Sequence, residues 1–104
     1  MAFALLTDRV EDRTLAREIA SLSGTSPFPL RRALAEGTPL LRVEVPSLPR
    51  EAMERARELW SVMRVLTARG MRTRFVDATG RDVPPAAVLR AYRSVATSDA
   101  SSAA

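Results

Sequence analysis

LLRVEV, residues 40–45, decides how this chain is read. Leu41, Val43 and Val45 alternate with Arg42 and Glu44, the period of a strand that buries one face. Pro39 and Pro46 bound the run, because proline cannot continue a ladder. MRTRFV, residues 71–76, repeats the pattern, with Met71, Thr73 and Phe75 on one side and Arg72, Arg74 and Val76 on the other. A slip of one residue in either strand would turn its charged residues into the core at a heavy desolvation cost. The expected inward set is therefore Leu41, Val43, Val45, Met71, Thr73 and Phe75, with Arg42, Glu44, Arg72 and Arg74 on the open face.

Between these strands the period changes to that of a helix. Met53, Ala56, Leu59, Trp60, Met63 and Leu66 make a broad apolar stripe, opened by Ser47 and Pro49 and stopped by Gly70. Trp60 is assigned to the core on this stripe; the alternative is a partly exposed anchor at a dimer seam. Met53, Met63 and Met71 are read as gap-filling core. Glu51 and Arg55 are placed as an i,i+4 pair. Glu51, Glu54 and Glu58 alternate with Arg55 and Arg57, so they read as surface ion pairs and not as a cation site.

On the N-terminal side, residues 3–7 form a short apolar strand, and a helix runs from Glu11-Asp12 to a stop at Gly24 with Leu15, Ile19 and Leu22 on one face. Ser26 and Pro27 open a second, short helix carrying Leu30, Ala33 and Leu34, stopped by Gly37. On the C-terminal side, residues 78–82 form a turn, and Pro84-Pro85 opens a last helix with Val88, Leu89, Tyr92 and Val95 on one stripe. That stripe either packs on its own domain, covers a neighbouring chain, or docks in a partner's groove. Residues 97–104, small and polar, are expected to be disordered. The order is β-α-α-β-α-β plus an appended helix: an α+β, two-layer α/β sandwich forming one domain over residues 1–96.

Composition narrows the function classes. The chain has 104 residues, 46% of them hydrophobic and 27% charged, with no Cys and no His. Disulfides, thiolate or imidazole metal sites, a Cys nucleophile and a His base are excluded. No catalytic residues, cofactor site or metal site are assigned. All sixteen basic residues are Arg and the net charge is +4, a weak nucleic-acid signal with twelve acids interspersed. The first eight residues are too short for a signal h-region, and no window holds 18 apolar residues. A cytoplasmic protein without membrane association is the expectation.

A stretch from Ser21 to Val76 carries a resemblance. A helix ending in Leu-Ser-Gly meets the short helix PLRRALAEG and a proline-bounded strand; the helix LPREAMERARELWSVMRVLTARG and the strand MRTRFV follow. In order and pattern this resembles the C-terminal domain of the bacterial ribosomal stalk protein, and the Clp protease adaptor has a similar fold. The resemblance covers about two thirds of the chain and implies a non-catalytic, adaptor-like protein-binding module. In the stalk family a basic patch on the second helix docks translation GTPases, and its lysine position falls on Arg31, beside Arg32. Pro27 and Pro29 stand where that family has a glycine-leucine-glycine turn, and the third helix is about two turns longer. The GTPase partner is therefore not carried over. The Clp adaptor family reads peptide N-termini with an acidic stretch after the first strand; here that place reads Thr7-Asp8-Arg9, with only Asp8 matching.

The candidate partner-binding residues are Arg31 and Arg32, with Arg42, Arg72 and Arg74 as a second patch and Tyr92 on the last helix. Each has a plainer alternative. Arg31 and Arg32 could be a solvated helix face, and Arg42, Arg72 and Arg74 could pair across strands with Glu44. The expected partner is a protein of unspecified identity, with a homodimer as one possibility. A nucleic-acid reader built on the arginine-bearing sheet face is the alternative function. It is disfavoured because such faces interleave aromatics and the exposed strand positions here hold none.

Overall fold

The chain order is β1 (Ala2–Thr7), α1 (Arg13–Ser23), α2 (Pro27–Glu36), β2 (Leu41–Glu44), α3 (Pro49–Ala68), β3 (Thr73–Asp77), β4 (Asp82–Val83) and α4 (Pro85–Ala103). This architecture comes from a computed structural model, which describes the backbone of residues 2–103 and side chains as far as Thr97. The strands form one antiparallel sheet in the order β2-β1-β3-β4. The class is the α+β sandwich that the strand patterns predict.

The sheet register follows from burial. Phe3 lies opposite Val43, and Leu5 lies opposite both Leu41 and Phe75. Phe3, Leu5, Val43 and Phe75 are buried under the helices, whereas Arg42, Arg72 and Arg74 are exposed. Leu41, Val45, Met71 and Thr73 are half-buried. The expected inward and outward sets are thus the observed ones.

Each helix start and stop has a local cause. Asp12 caps α1 by accepting from the Leu15 N–H at 2.9 Å. The acid therefore sits at the cap, and the helix begins at Arg13, after the expected Glu11-Asp12 start. Both α1 and α2 end on glycines in the left-handed conformation, Gly24 and Gly37 at φ 70° and 73°. At Gly37 a Cβ would also come within 2.7 Å of the Arg9 side chain, so this position admits no other residue without strain.

Two expectations need correction. Residues 82–83, expected in a turn and its exit, form β4, which extends the sheet beside β3. The Asp77 carboxylate organises the hairpin. It accepts from the Thr79 N–H at 2.9 Å, the Thr79 hydroxyl at 2.6 Å and the Arg81 N–H at 3.1 Å. These bonds, led by the Thr79 hydroxyl, hold the Asp77 carboxyl below its ordinary range.

The second correction concerns α3. Its sheet-facing line is Ala52, Leu59, Val62 and Leu66. Trp60 is 40% exposed and Met53 47% exposed, so neither is core. Trp60 sits about 100° around the helix from Leu59. Helix α4 then packs against α3, so the stripe serves two neighbours and its far edge is left at a rim. There Trp60 borders Ala56, Met63, Pro85 and Leu89. Arg55 pairs with Glu58 at 3.1 Å, not with Glu51.

The last helix packs on its own domain. Val88 and Tyr92 are buried, at 1% and 3% exposure. The segment 97–104, expected to be disordered, lies outside the described side chains except for Thr97. Among the described residues no helix is long and apolar enough to cross a membrane.

Candidate protein-docking site

Among the described residues the most exposed large apolar side chain is Phe28, at 74%. Helix α2 turns Leu30, Ala33 and Leu34 into the core, which leaves Phe28 on the opposite side of the wheel. Pro27 and Pro29 flank it and fix its backbone. Phe28 borders a shallow cleft of about 210 Å³ shared with α1, lined by Arg13, Ala16, Arg17, Pro27 and Arg31. Arg13 and Arg17 are one turn apart on α1, as Phe28 and Arg31 are on α2. The hairpin of the two helices brings these pairs together.

The charge of the cleft follows from a distant residue. Arg69, just past the end of α3, forks onto α1: one guanidinium nitrogen meets Asp12 at 3.0 Å and the other meets Glu18 at 3.1 Å. Those acids are the ones nearest in sequence to Arg13 and Arg17. Among the described residues Arg13, Arg17 and Arg31 make no ion pair. Like charges at i,i+4 cost an isolated helix roughly 0.2–0.5 kcal/mol, and Arg13 at the first position of α1 also faces the positive helix end. The cleft therefore holds uncompensated positive charge around an exposed aromatic ring. An acidic group would be attracted by the guanidinium groups, and an apolar side chain beside it would cover Phe28.

The expected site residues are distributed differently. Arg31 belongs to the cleft, whereas Arg32 points elsewhere and pairs with Glu36 at 3.0 Å. Arg42 and Arg74 lie on the open sheet face across β1, opposite Ala4 and Leu6 respectively. Arg74 is paired with Asp82 at 3.0 Å. Arg72 precedes β3, and its N–H donates to the Asp8 carboxylate at 2.9 Å. Asp8 is thereby a structural acceptor, with one carboxylate oxygen already taken. Tyr92 is buried against α3 and exposes little surface of its own; it lines the groove beside β2, and its hydroxyl reaches the Glu44 carbonyl at 3.4 Å. The start of α2 offers anions few donors. Ser26 makes no side-chain cap bond, and prolines at 27 and 29 leave only Phe28 and Leu30 with N–H groups in the first turn.

Sequence reasoning missed Phe28, Arg13 and Arg17. The signal for Phe28 was present, since an aromatic residue opposite Leu30 and Leu34 on a helical wheel has nowhere to go but solvent. For Arg13 and Arg17 no signal existed, because their place beside Phe28 depends on the angle of the helix hairpin.

Tyr92 is the only tyrosine in the chain, so its ionisation can be read directly. Burial raises its pKa; Arg55 opposes the rise and Glu58 adds to it. Folding favours the neutral phenol, so its stabilising contribution is intact below the ordinary tyrosine pKa and is lost as pH rises through the raised one. An ultraviolet titration of the native protein should show its midpoint above the ordinary 10.0, returning to that value in denaturant. A native midpoint at or below the ordinary value would place the ring in water.

Among the described residues no group of His, Cys, Asp or Glu is arranged to hold a metal ion. No protein family model matches this chain, and no curated protein or solved structure is significantly similar to it.

Proposed function

We propose that this chain is a non-catalytic, adaptor-like protein-interaction module that binds an acidic segment of a partner protein on its α1–α2 surface. The observation that carries the reading is Phe28, 74% exposed, ringed by the unpaired Arg13, Arg17 and Arg31. An exposed aromatic anchor beside arginines is the composition of interface hot spots, and a surface of one charge selects a partner of the other. The resemblance in order and pattern to the stalk C-terminal domain supports the same class, with Arg31 at the position of that family's basic docking residue. Val88 and Tyr92 of α4 are buried within their own chain, which favours the α1–α2 surface over that stripe as the docking element.

The nucleic-acid reading is weaker on the sheet face. Arg74 is paired with Asp82, Glu44 stands beside Arg42, and the outward positions of β1 and β3 hold Ala2, Ala4, Leu6 and Val76 with no aromatic ring.

Fluorescence anisotropy tests the proposal with three probes: Asp/Glu-rich peptides bearing one Leu or Phe, the same peptides without an apolar residue, and a single-stranded oligonucleotide. The anchored acidic peptides should bind best. Phe28→Ala and the pair Arg13→Glu with Arg17→Glu should each weaken that binding by about 1–3 kcal/mol. Thermal stability should stay within about 0.5 kcal/mol, since the side chains are exposed. Tighter binding of the oligonucleotide, with a steep salt dependence, would favour the nucleic-acid reading. Binding of the anchored peptides unchanged in both variants would remove the cleft from consideration.

A further inference from the structure

The longer of the sheet's two open edges is β2, four residues from Leu41 to Glu44. Strand β2 ends the order β2-β1-β3-β4, and the opposite edge, β4, is only two residues long. On the helix side of β2 the layer leaves a groove of about 600 Å³, reaching from Leu41 and Val45 to Arg55 and Leu59 on α3. An edge with free N–H and C=O groups and an open groove beside it is a template for another strand.

We infer that the occupant is a second copy of this chain, paired antiparallel through β2 about a two-fold axis at Val43. The argument is the order of residues 41–45, Leu-Arg-Val-Glu-Val. Residues directly opposite in an antiparallel pair project to the same face. Continuing the sheet with helices on one side therefore requires odd positions to meet odd and even to meet even. With Val43 opposite its own copy, Leu41 meets Val45 on the helix face and Arg42 meets Glu44 on the open face, twice. Sliding by two residues in one direction sets Arg42 against Arg42; sliding in the other sets Glu44 against Glu44. Both alternatives put like charges in contact, which is unfavourable. Pro39 and Pro46 confine the ladder to the residues between them, so one register remains.

The side chains involved are available. Arg42 and Glu44 are exposed, and among the described residues neither makes an ion pair. The Glu44 carbonyl accepts a bond from the Tyr92 hydroxyl at 3.4 Å, and its second lone pair can still take an N–H. A two-fold operation makes such an interface self-complementary and closed, so it ends at a dimer. It shares no residue with the α1–α2 cleft and does not depend on the function proposed for that cleft.

Sedimentation velocity over a concentration series tests this with the whole chain. The wild type should show a concentration-dependent dimer. Arg42→Glu and Glu44→Arg should each weaken association about tenfold or more, since each sets two like pairs in contact. The double variant carrying both changes should restore it, because the swapped charges again match. Circular dichroism on the same samples should show the native helix content throughout. A wild type that stays monomeric up to its solubility limit would overturn the inference, including the case where a different protein's strand takes this edge. A dimer that both single variants leave intact, or that the double variant fails to restore, would overturn it equally.

Discussion

Phe75→Ala should cost about 3–5 kcal/mol of folding stability, because truncating a fully buried aromatic side chain loses its transfer energy and leaves a cavity. Phe75 is 1% exposed, lies opposite Leu5 on one neighbour and Val83 on the other, and is the largest fully buried side chain of the core. A domain of this size holds about 5–15 kcal/mol in total, so the variant should unfold at a markedly lower denaturant concentration or fail to fold at 37 °C. The adjacent Arg74→Ala should change stability by no more than about 1 kcal/mol: its ion pair with Asp82 is exposed on both sides, and such pairs contribute little. Denaturant melts of the two variants read the register of β3 directly. Equal effects, or a larger effect at Arg74, would mean that the strand faces the other way.

Tyr92→Ala should be nearly as damaging, again about 3–5 kcal/mol, because the ring seals α4 onto α3 and onto the end of β2. Tyr92→Phe should cost less than about 1 kcal/mol, since the hydroxyl bond it removes is long and weak. Trp60→Ala should fall between, at roughly 1–2 kcal/mol, because the indole already keeps 40% of its surface in water. The order of these thermal or chemical melts tests how α3 is rotated. If Trp60→Ala proved costlier than Tyr92→Ala, the indole would be the core residue and α4 the peripheral one. If Tyr92→Ala left stability unchanged but altered the association state, α4 would be an interface helix after all.

The contrast between Phe75 and Trp60 shows which parts of the fold were legible. Alternation over residues 41–45 and 71–76 is a two-residue period, and turning arginines inward costs so much that the faces of β2 and β3 follow from sequence alone. The same holds for the helix stops at Gly24 and Gly37 and for the prolines that open α2, α3 and α4, which act through bonds and dihedrals within a few residues. With those elements in hand, the α+β class followed. A helical stripe is less definite. Leu59, Trp60 and Met63 are all apolar, and which of them meets the sheet depends on where α4 lands, a contact some thirty residues away in the chain. Strand β4 was similarly hidden, because two residues carry no period and pair only once the Asp77 turn brings them back to β3.

For the candidate site the division is sharper. Sequence alone placed Arg31 among the candidate binding residues, and the helical period of α2 sets Phe28 opposite the buried Leu30, Ala33 and Leu34, although that signal was not used. Sequence alone also ruled out imidazole and thiolate chemistry, as a chain without His or Cys has none to offer. Only the tertiary structure decided that Phe28 and Arg31 share one cleft with Arg13 and Arg17, that Arg69 draws Asp12 and Glu18 away from it, and that Arg32 and Arg74 are already paired. Exposure is a property of one element's period, whereas the net charge of a cleft is a sum over side chains that only packing brings within a few ångströms of one another.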